Sequence, residues 1–383
     1  MRGHRDPQPS LFYAIDVEAR IRPDHPLRPI KAAVDRILAG LSDRFDAAYS
    51  EVGRPGVPPE RLVKALLLMA LYSVRSERQL VERIDTDLLF RWFLDMSPEE
   101  PAYDATAFTH NRPRLDEHGL TAAFFQAVLR EALAADLCSE HFSVDGTLIE
   151  SYASIKSVQP IEGPKDPDGT PPDGNGFKPR NPDVDFRGQK RTNATHRSRT
   201  DPEARLYRKS VGQETKLRHL GHALGENRYG LIVGVSVSEA NGTAERAAAV
   251  DLVDAFRDVA GWDPTTLGLD KGYDSGALFL ALETRGVEPH GALINPPKPE
   301  AQAKDAEREK VAARHRMAAR TTGTGYRLSQ KCRKKLEEGF GWLKEIAGLA
   351  RSRVVGRWKI QQLWEVGAAA YNLVRMRKLL ATA

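Results

Sequence analysis

Residues 142–150 read FSVDGTLIE, and residues 267–275 read LGLDKGYDS. Both are strand-like apolar runs, and each brings an aspartate, Asp145 or Asp270, at or just past its apolar part. A third stretch, CRKKLEEGFGWLK over 332–344, has helical spacing. Leu336, Phe340, Leu343 and Ala347 recur on one side of it, and Arg333, Glu337 and Lys344 share an adjoining side at i, i+4 and i+11. Two strands and a helix thus each carry an acid. Three carboxylates so placed can converge on a divalent cation, and the cations beside them suit phosphate.

The elements around these stretches set the frame. Residues 1–27 are rich in Pro and Arg and read as an N-terminal arm. From 28 to 137 the pattern is helical. Ile30, Val34, Ile37 and Leu41 recur at helical spacing, and PPERLVKALLLMALYSV opens with proline at a first helical turn and is apolar nearly all round. SERQLVERI begins with a Ser-x-x-Gln capping box at Ser76 and Gln79. DATAFTHNR is expected to stop at Pro113. This segment reads either as a helix-turn-helix, with Thr109, Asn111, Arg112 and Arg114 facing DNA, or as an ordinary helical bundle with a polar outer side.

The pattern changes at residue 141. HFSVDGTLIES alternates as a strand, and 157–206 has almost no apolar content and reads as a flexible basic insertion. KLRHLGHALGE and YGLIVGVSVSEA are strands around an Asn227–Gly230 turn. TAERAAAVDLVDAFRDV is an amphipathic helix, TTLGLD a short strand, SGALFLALETRG a helix, and HGALINPP another strand. A charged helix over 302–319, one long helix over 329–350 and a last helix follow. The order β, β, β, α, β, α, β, α is that of a ribonuclease-H-like α/β fold. The expected architecture is a mixed sheet with flanking helices over 138–383, preceded by an all-α N-terminal domain. In that fold the first strand is central, its acid points into the site, the acid after the fourth strand lies alongside, and a later helix brings the third.

Displacement at phosphorus needs an attacking oxygen made nucleophilic and a leaving oxygen stabilised, which two Mg2+ ions about 4 Å apart achieve together. Mg2+ takes oxygen ligands and keeps several waters, so a few carboxylates suffice. On this reading Asp145 bridges both ions, and Asp270 and Glu337 each complete one. Arg333 and Lys344 then face scissile or flanking phosphates. Glu338 is the rival third acid, but it lies about 100° further round the helix. His219 and His222 are an odd number apart on a strand, face opposite ways, and are poor joint zinc ligands. Asp274 reads as the cap of the next helix. No phosphate loop or dinucleotide fingerprint is present, so no nucleotide cofactor is expected.

Composition narrows the classes further. The chain has 383 residues, enough for two or three domains, with 41% hydrophobic and 28% charged residues and a mean hydropathy of -0.47. Its most apolar run, LVKALLLMALYSV, contains Lys64 and falls short of the roughly 18 residues that span a bilayer. No signal-peptide core is visible, and Cys138 and Cys332 make no disulfide framework, so a cytoplasmic, nucleoid-associated protein with no membrane contact is expected. The net charge is +5. Seven Lys or Arg stand against two Asp between Lys178 and Arg199, and Arg351, Arg353, Arg357, Lys359, Arg375, Arg377 and Lys378 follow. Clustered cations of this kind are the footprint of a polyanion partner.

These stretches together resemble the DDE transposases of bacterial insertion sequences, in the InsH-like branch. FSVDGTLIES, DPEARLYRK, GENRYGLIVGVSV, LGLDKGYDS and RKKLEEGFGWLK look like that family's landmarks, and the helical N-terminal part resembles its InsH-type DNA-binding domain. In the family's signature Tyr-x2-Arg-x3-Glu-x6-Lys, the Arg, Glu and Lys are Arg333, Glu337 and Lys344, while Gln330 stands at the Tyr position. The resemblance implies recognition of terminal inverted repeats, nicking at the element's ends, and attack of the freed 3′-hydroxyl on target DNA. It also implies Mg2+, with Mn2+ as a substitute, double-stranded DNA as partner, and a homodimer on paired ends. A plain ribonuclease-H-like nuclease and a domesticated DNA-binding protein are the alternatives.

Overall fold

The computed structural model describes residues 15–50, 52, 56–161, 192–208, 214–299, 301 and 303–381. Its N-terminal part is helical: α1 (Val17–Arg20), α2 (Leu27–Ala39), α3 (Ser42–Ala48), α4 (Pro59–Leu71), α5 (Glu77–Thr86), α6 (Leu88–Phe93), α7 (Thr106–Glu117) and α8 (Leu120–Ala134). Local chemistry sets several of the starts. Ser76 accepts from the Gln79 amide, and the Gln79 side chain accepts from the Arg75 amide, one residue before the cap, so both side chains satisfy amides where α5 begins. Helix α4 is buried over most of its surface. Its buried cation, Lys64, is tolerated there because Asp35 and Asp95 both reach its ammonium.

Eight strands follow among the described residues: β1 (His141–Glu150), β2 (Val158–Pro160), β3 (His196–Ser198), β4 (Arg205–Tyr207), β5 (Lys216–Glu226), β6 (Ile232–Glu239), β7 (Thr266–Leu269) and β8 (Glu288–Gly291). β1 is central. On one side it pairs antiparallel with β5, whose far edge carries β4 and β6, also antiparallel; on the other it pairs parallel with β7, which pairs parallel with β8. This is the mixed sheet of the ribonuclease-H-like fold, in the expected order.

Two layers cover the sheet. Helices α9 (Ala244–Ala260), α10 (Gly276–Thr284) and α11 (Arg308–Arg320) share a core with Phe142, Val144, Leu224 and Leu267. The other face, with Ile149 and Ala223, is covered by α13 (Lys334–Glu345) and α14 (Arg357–Leu380). The N-terminal helices have no core of their own, because Leu67, Phe93, Phe108 and Phe124 belong to the same cluster as Trp364, Ala369 and Leu343. Helix α14 runs through the middle of it. The Asn372 amide accepts from the Ile232 N–H and donates to the Ile232 carbonyl at 2.9 and 2.7 Å, fixing α14 against β6. On its other side Glu365 accepts from the Thr121 hydroxyl at 2.6 Å.

Four expectations need correction. Pro113 does not stop α7; it lies inside it. The lost amide leaves the carbonyl of Thr109 without an intrahelical donor, and Thr109 is exposed to water. The predicted long helix is two: α12 (Thr324–Cys332) and α13, separated by a tightened turn in which the Leu336 amide donates to the Arg333 carbonyl. The charged helix begins at Arg308, later than predicted. The predicted insertion is also ordered at both ends. β2 and β3 form a two-stranded ribbon, β4 extends the main sheet, and Asp201 is buried between Ser151 and His219 at 2.6 and 2.9 Å. Most of the expected arm, and insertion residues 162–191 with five of the seven cations of the 178–199 run, lie outside the described residues.

Candidate metal and phosphate site

The site is built from the register of two strands. Ser143 pairs with Gly268 in the parallel β1–β7 ladder. Two residues further along each chain stand Asp145 and Asp270, at the same level of neighbouring strands that run about 4.8 Å apart. Asp145 lies in mid-strand and accepts from the Gly146 amide at 2.8 Å. Asp270 directly follows β7 and caps the next turn, accepting from the Gly272 amide at 2.7 Å.

The break between α12 and α13 brings the cation. Arg333 donates from Nη1 to Asp145 Oδ2 at 2.7 Å, and its Nη2 lies 3.9 Å from Glu337 Oε1. Its Nε is buried and has no partner among the described residues, leaving one donor for another acceptor. Helix α13 buries Leu336, Phe340 and Leu343. Glu337 therefore stands on the Asp145 side, and Glu338 turns toward Arg375 of α14, 3.9 Å away. Gln330, at the signature's Tyr position, donates to the carbonyls of Leu269 and His290 at 3.1 and 2.6 Å, so it ties α12 to the ends of β7 and β8 beside Asp270.

Burial pushes the Asp145 carboxyl above its ordinary value; Arg333 and the Gly146 amide oppose this, and the charges of Asp270 and Glu337 add to it. Such crowding of like charge favours a bound cation. The donor set is all oxygen, which fits a hard ion such as Mg2+. Among the described residues no three ligating side chains stand close enough to form a ready-made cage, because Arg333 holds Asp145 and the Glu337 side chain is 60% exposed.

One acid escaped the sequence reading. Glu245, in the first turn of α9, lies beside Asp145 and Asp270, and burial and then those two charges push its carboxyl up. In sequence it looks like any acid in a first helical turn, where the macrodipole favours negative charge. Lys344 lines a cavity of about 400 Å3 with Gly146, Tyr207, Arg218 and Glu245.

The other predicted DNA contacts behave differently. Arg112 is buried, its guanidinium taken by Glu77 and Gln362, so it does not face outward. Asn111 accepts from the Tyr49 hydroxyl and from Arg114, which stacks on the Tyr49 ring. Thr109 is exposed at the rim of a second cavity of about 340 Å3, with Arg75, Arg78, Arg351 and Arg353. There burial and then the Arg75 charge lower the pKa of Arg353, so two guanidinium groups crowd one place. His219 and His222 bond separately, to Asp201 and Ser238. Asp274 does not cap the next helix, since it binds Arg314 and the Ile294 amide.

Two family models match the chain. Residues 15–114 match the model described as Transposase domain (DUF772), and residues 194–373 match Transposase DDE domain. The chain belongs to the DDE transposases. Asp270, Arg333 and Glu337 fall inside the DDE match, and Asp145 precedes it. Members of this family use divalent metal ions. A solved structure, the Mos1 transposase paired-end complex with left transposon end, is 12% identical over 82% of this chain and 87% of its own, with a TM-score of 0.21, too low to equate the two folds. No curated protein matches the chain. No helix among the described residues is long and apolar enough to cross a membrane.

Proposed function

We propose that this transposase binds the terminal inverted repeats of an insertion sequence, cleaves DNA at the element's ends, and transfers the 3′ ends to target DNA. The observation that carries the reading is the register of Asp145 and Asp270 on adjacent parallel strands, with Arg333 bound between the first aspartate and Glu337. Asp145, Asp270 and Glu337 are the residues that hold Mg2+ or Mn2+. Bound there, two divalent ions supply Lewis-acid stabilisation of the attacking and leaving oxygens.

The chain's own residues do the rest. Closing the carboxylate set requires Arg333 to release Asp145 and Glu337 to turn inward. The freed guanidinium, with a donor already unpartnered, then takes a phosphate oxygen in charge-assisted hydrogen bonds. Lys344 and Arg218 line the groove beside β1 and hold the flanking backbone. The arginine-lined cavity between α5, α7 and the segment before α14 extends the cationic path to the N-terminal helices. Arg114 and Asn111 bind each other beside Tyr49, and Arg112 is part of the core. Action on two ends together makes a homodimer the working form.

The test is Mg2+-dependent cleavage of an end-containing duplex by Asp145→Asn, Asp270→Asn and Glu337→Gln. Each is expected to lower cleavage roughly 10- to 100-fold or more and keep DNA binding. Full activity in any one of them removes that residue from the site.

A further inference from the structure

Glu245 is held where a ligand of the same site would have to be. Residues of β1 alternate between the layers: Phe142 and Val144 face the α9 core, and Ile149 faces the other. Asp145 therefore sits on the α13 side and Gly146 on the α9 side. A Cβ added at Gly146 would come within 2.6 Å of Glu245 Oε1. One added at Gly272 would lie 3.5 Å from Glu245 Oε2 and 3.1 Å from Asp270 Oδ1. The glycines that follow the two aspartates thus leave the space that this carboxylate fills. Glu245 is half-buried and makes no hydrogen bond or ion pair among the described residues.

A second observation points the same way. The Tyr273 side chain is fully buried, and its hydroxyl has no hydrogen-bond partner among the described residues. The charges it feels are those of Glu245, Asp145 and Asp270, with Arg333 opposing them. A buried hydroxyl left unmade is costly. One buried within the field of three carboxylates can donate to whichever of them a bound cation draws toward it.

We propose that Glu245 is a fourth carboxylate of the divalent-cation site, reaching Asp145 and Asp270 from the α9 side through the gap at Gly146, with the Tyr273 hydroxyl as the donor that steadies the set. This rests on the reading of Asp145 and Asp270 as metal-holding residues.

The experiment is equilibrium binding of Mn2+ to the full chain without DNA, followed by the electron paramagnetic resonance signal of the free ion. Wild type is compared with Asp145→Asn, Glu245→Gln and Glu338→Gln, after circular dichroism has shown that each is folded. Asp145→Asn and Glu245→Gln are each expected to weaken Mn2+ binding roughly tenfold or more. Glu338→Gln is expected to bind as wild type does. Gly146→Ala crowds Glu245 without removing a charge and is expected to weaken Mn2+ binding too; it replaces Glu245→Gln if that variant does not fold. Wild-type affinity in the Glu245 and Gly146 variants, with a loss in Asp145→Asn, overturns the inference and leaves the site standing. Wild-type affinity in Asp145→Asn removes the site and the inference together.

Discussion

Arg333 Nη1 donates to Asp145 Oδ2 across 2.7 Å, and both side chains are only 18% exposed. The pair joins the central strand to the break between α12 and α13. It also sets a competition, since the same carboxylate oxygen is wanted by a guanidinium and by a divalent cation. The guanidinium is the largest influence opposing the effect of burial on Asp145.

Removing that competitor gives a result opposite to simple loss of function. A hydrogen bond to a charged group contributes about 1.5–3 kcal/mol, and about 1.4 kcal/mol is tenfold in an equilibrium constant. Arg333→Gln is therefore expected to tighten Mn2+ binding in the absence of DNA by about tenfold. The same variant is expected to cleave poorly, because the phosphate loses its guanidinium, and the salt dependence of its DNA binding should flatten. Weaker Mn2+ binding by Arg333→Gln would show that the guanidinium organises Asp145 and does not compete for it.

The two adjacent glutamates of α13 separate cleanly. Glu337 lies toward Arg333, and Glu338 lies toward Arg375. Glu337→Gln is expected to lower end cleavage roughly 10- to 100-fold or more, the range typical of groups that orient a metal. Glu338→Gln loses only an exposed contact, worth about 0–1 kcal/mol, and should cleave within about twofold of wild type. Equal losses in a cleavage assay at fixed Mg2+ would contradict this assignment.

What the sequence revealed, and what it concealed, follow from the reach of local pattern. The placement of Asp145 and Asp270 on neighbouring strands, and of Glu337 beside Arg333 on α13, is legible because alternation and helical spacing report faces over short distances. Glu245 is not, since its role depends on two glycines in other strands and turns that no spacing within α9 records. Arg112 was misplaced for a related reason. An arginine in a polar run reads as exposed, and only the packing of α7 against α5 and α14 shows Glu77 and Gln362 closing over it. Pro113 was expected to end a helix that tertiary contacts carry through to Glu117. The ribbon of β2 and β3 has three residues per strand, too few for a period to be read.

Arg112 gives a prediction about stability and not about DNA. Breaking a buried, hydrogen-bonded ion pair by removing one partner costs about 3–5 kcal/mol. Arg112→Ala should lower stability by about that amount in urea unfolding, because Glu77 keeps an unpaired charge. Arg112→Ala with Glu77→Ala should recover part of the loss, and the non-additivity in the cycle measures the pair. A large drop in DNA affinity of the folded single variant, without a change in stability, would return Arg112 to the DNA-contacting surface.

The acid limb of stability is expected to carry the signature of His222. This side chain is fully buried on β5, where Nε2 shares a 2.7 Å hydrogen bond with the Ser238 hydroxyl and Nδ1 has no partner among the described residues. Burial pushes its pKa down from 6.5 to about 4. The folded state therefore binds fewer protons than the unfolded state between those values. Its contribution is fully present above the unfolded value and is lost as pH falls through the window toward about 4. The gap corresponds to about 3 kcal/mol. His222→Gln keeps a polar partner for Ser238 and does not titrate. Urea unfolding of both proteins between pH 7 and 4.5 should show wild type losing stability relative to the variant as pH drops, by up to about 3 kcal/mol. Parallel losses in the two proteins would mean that His222 is protonated within the fold, with Nδ1 finding an acceptor.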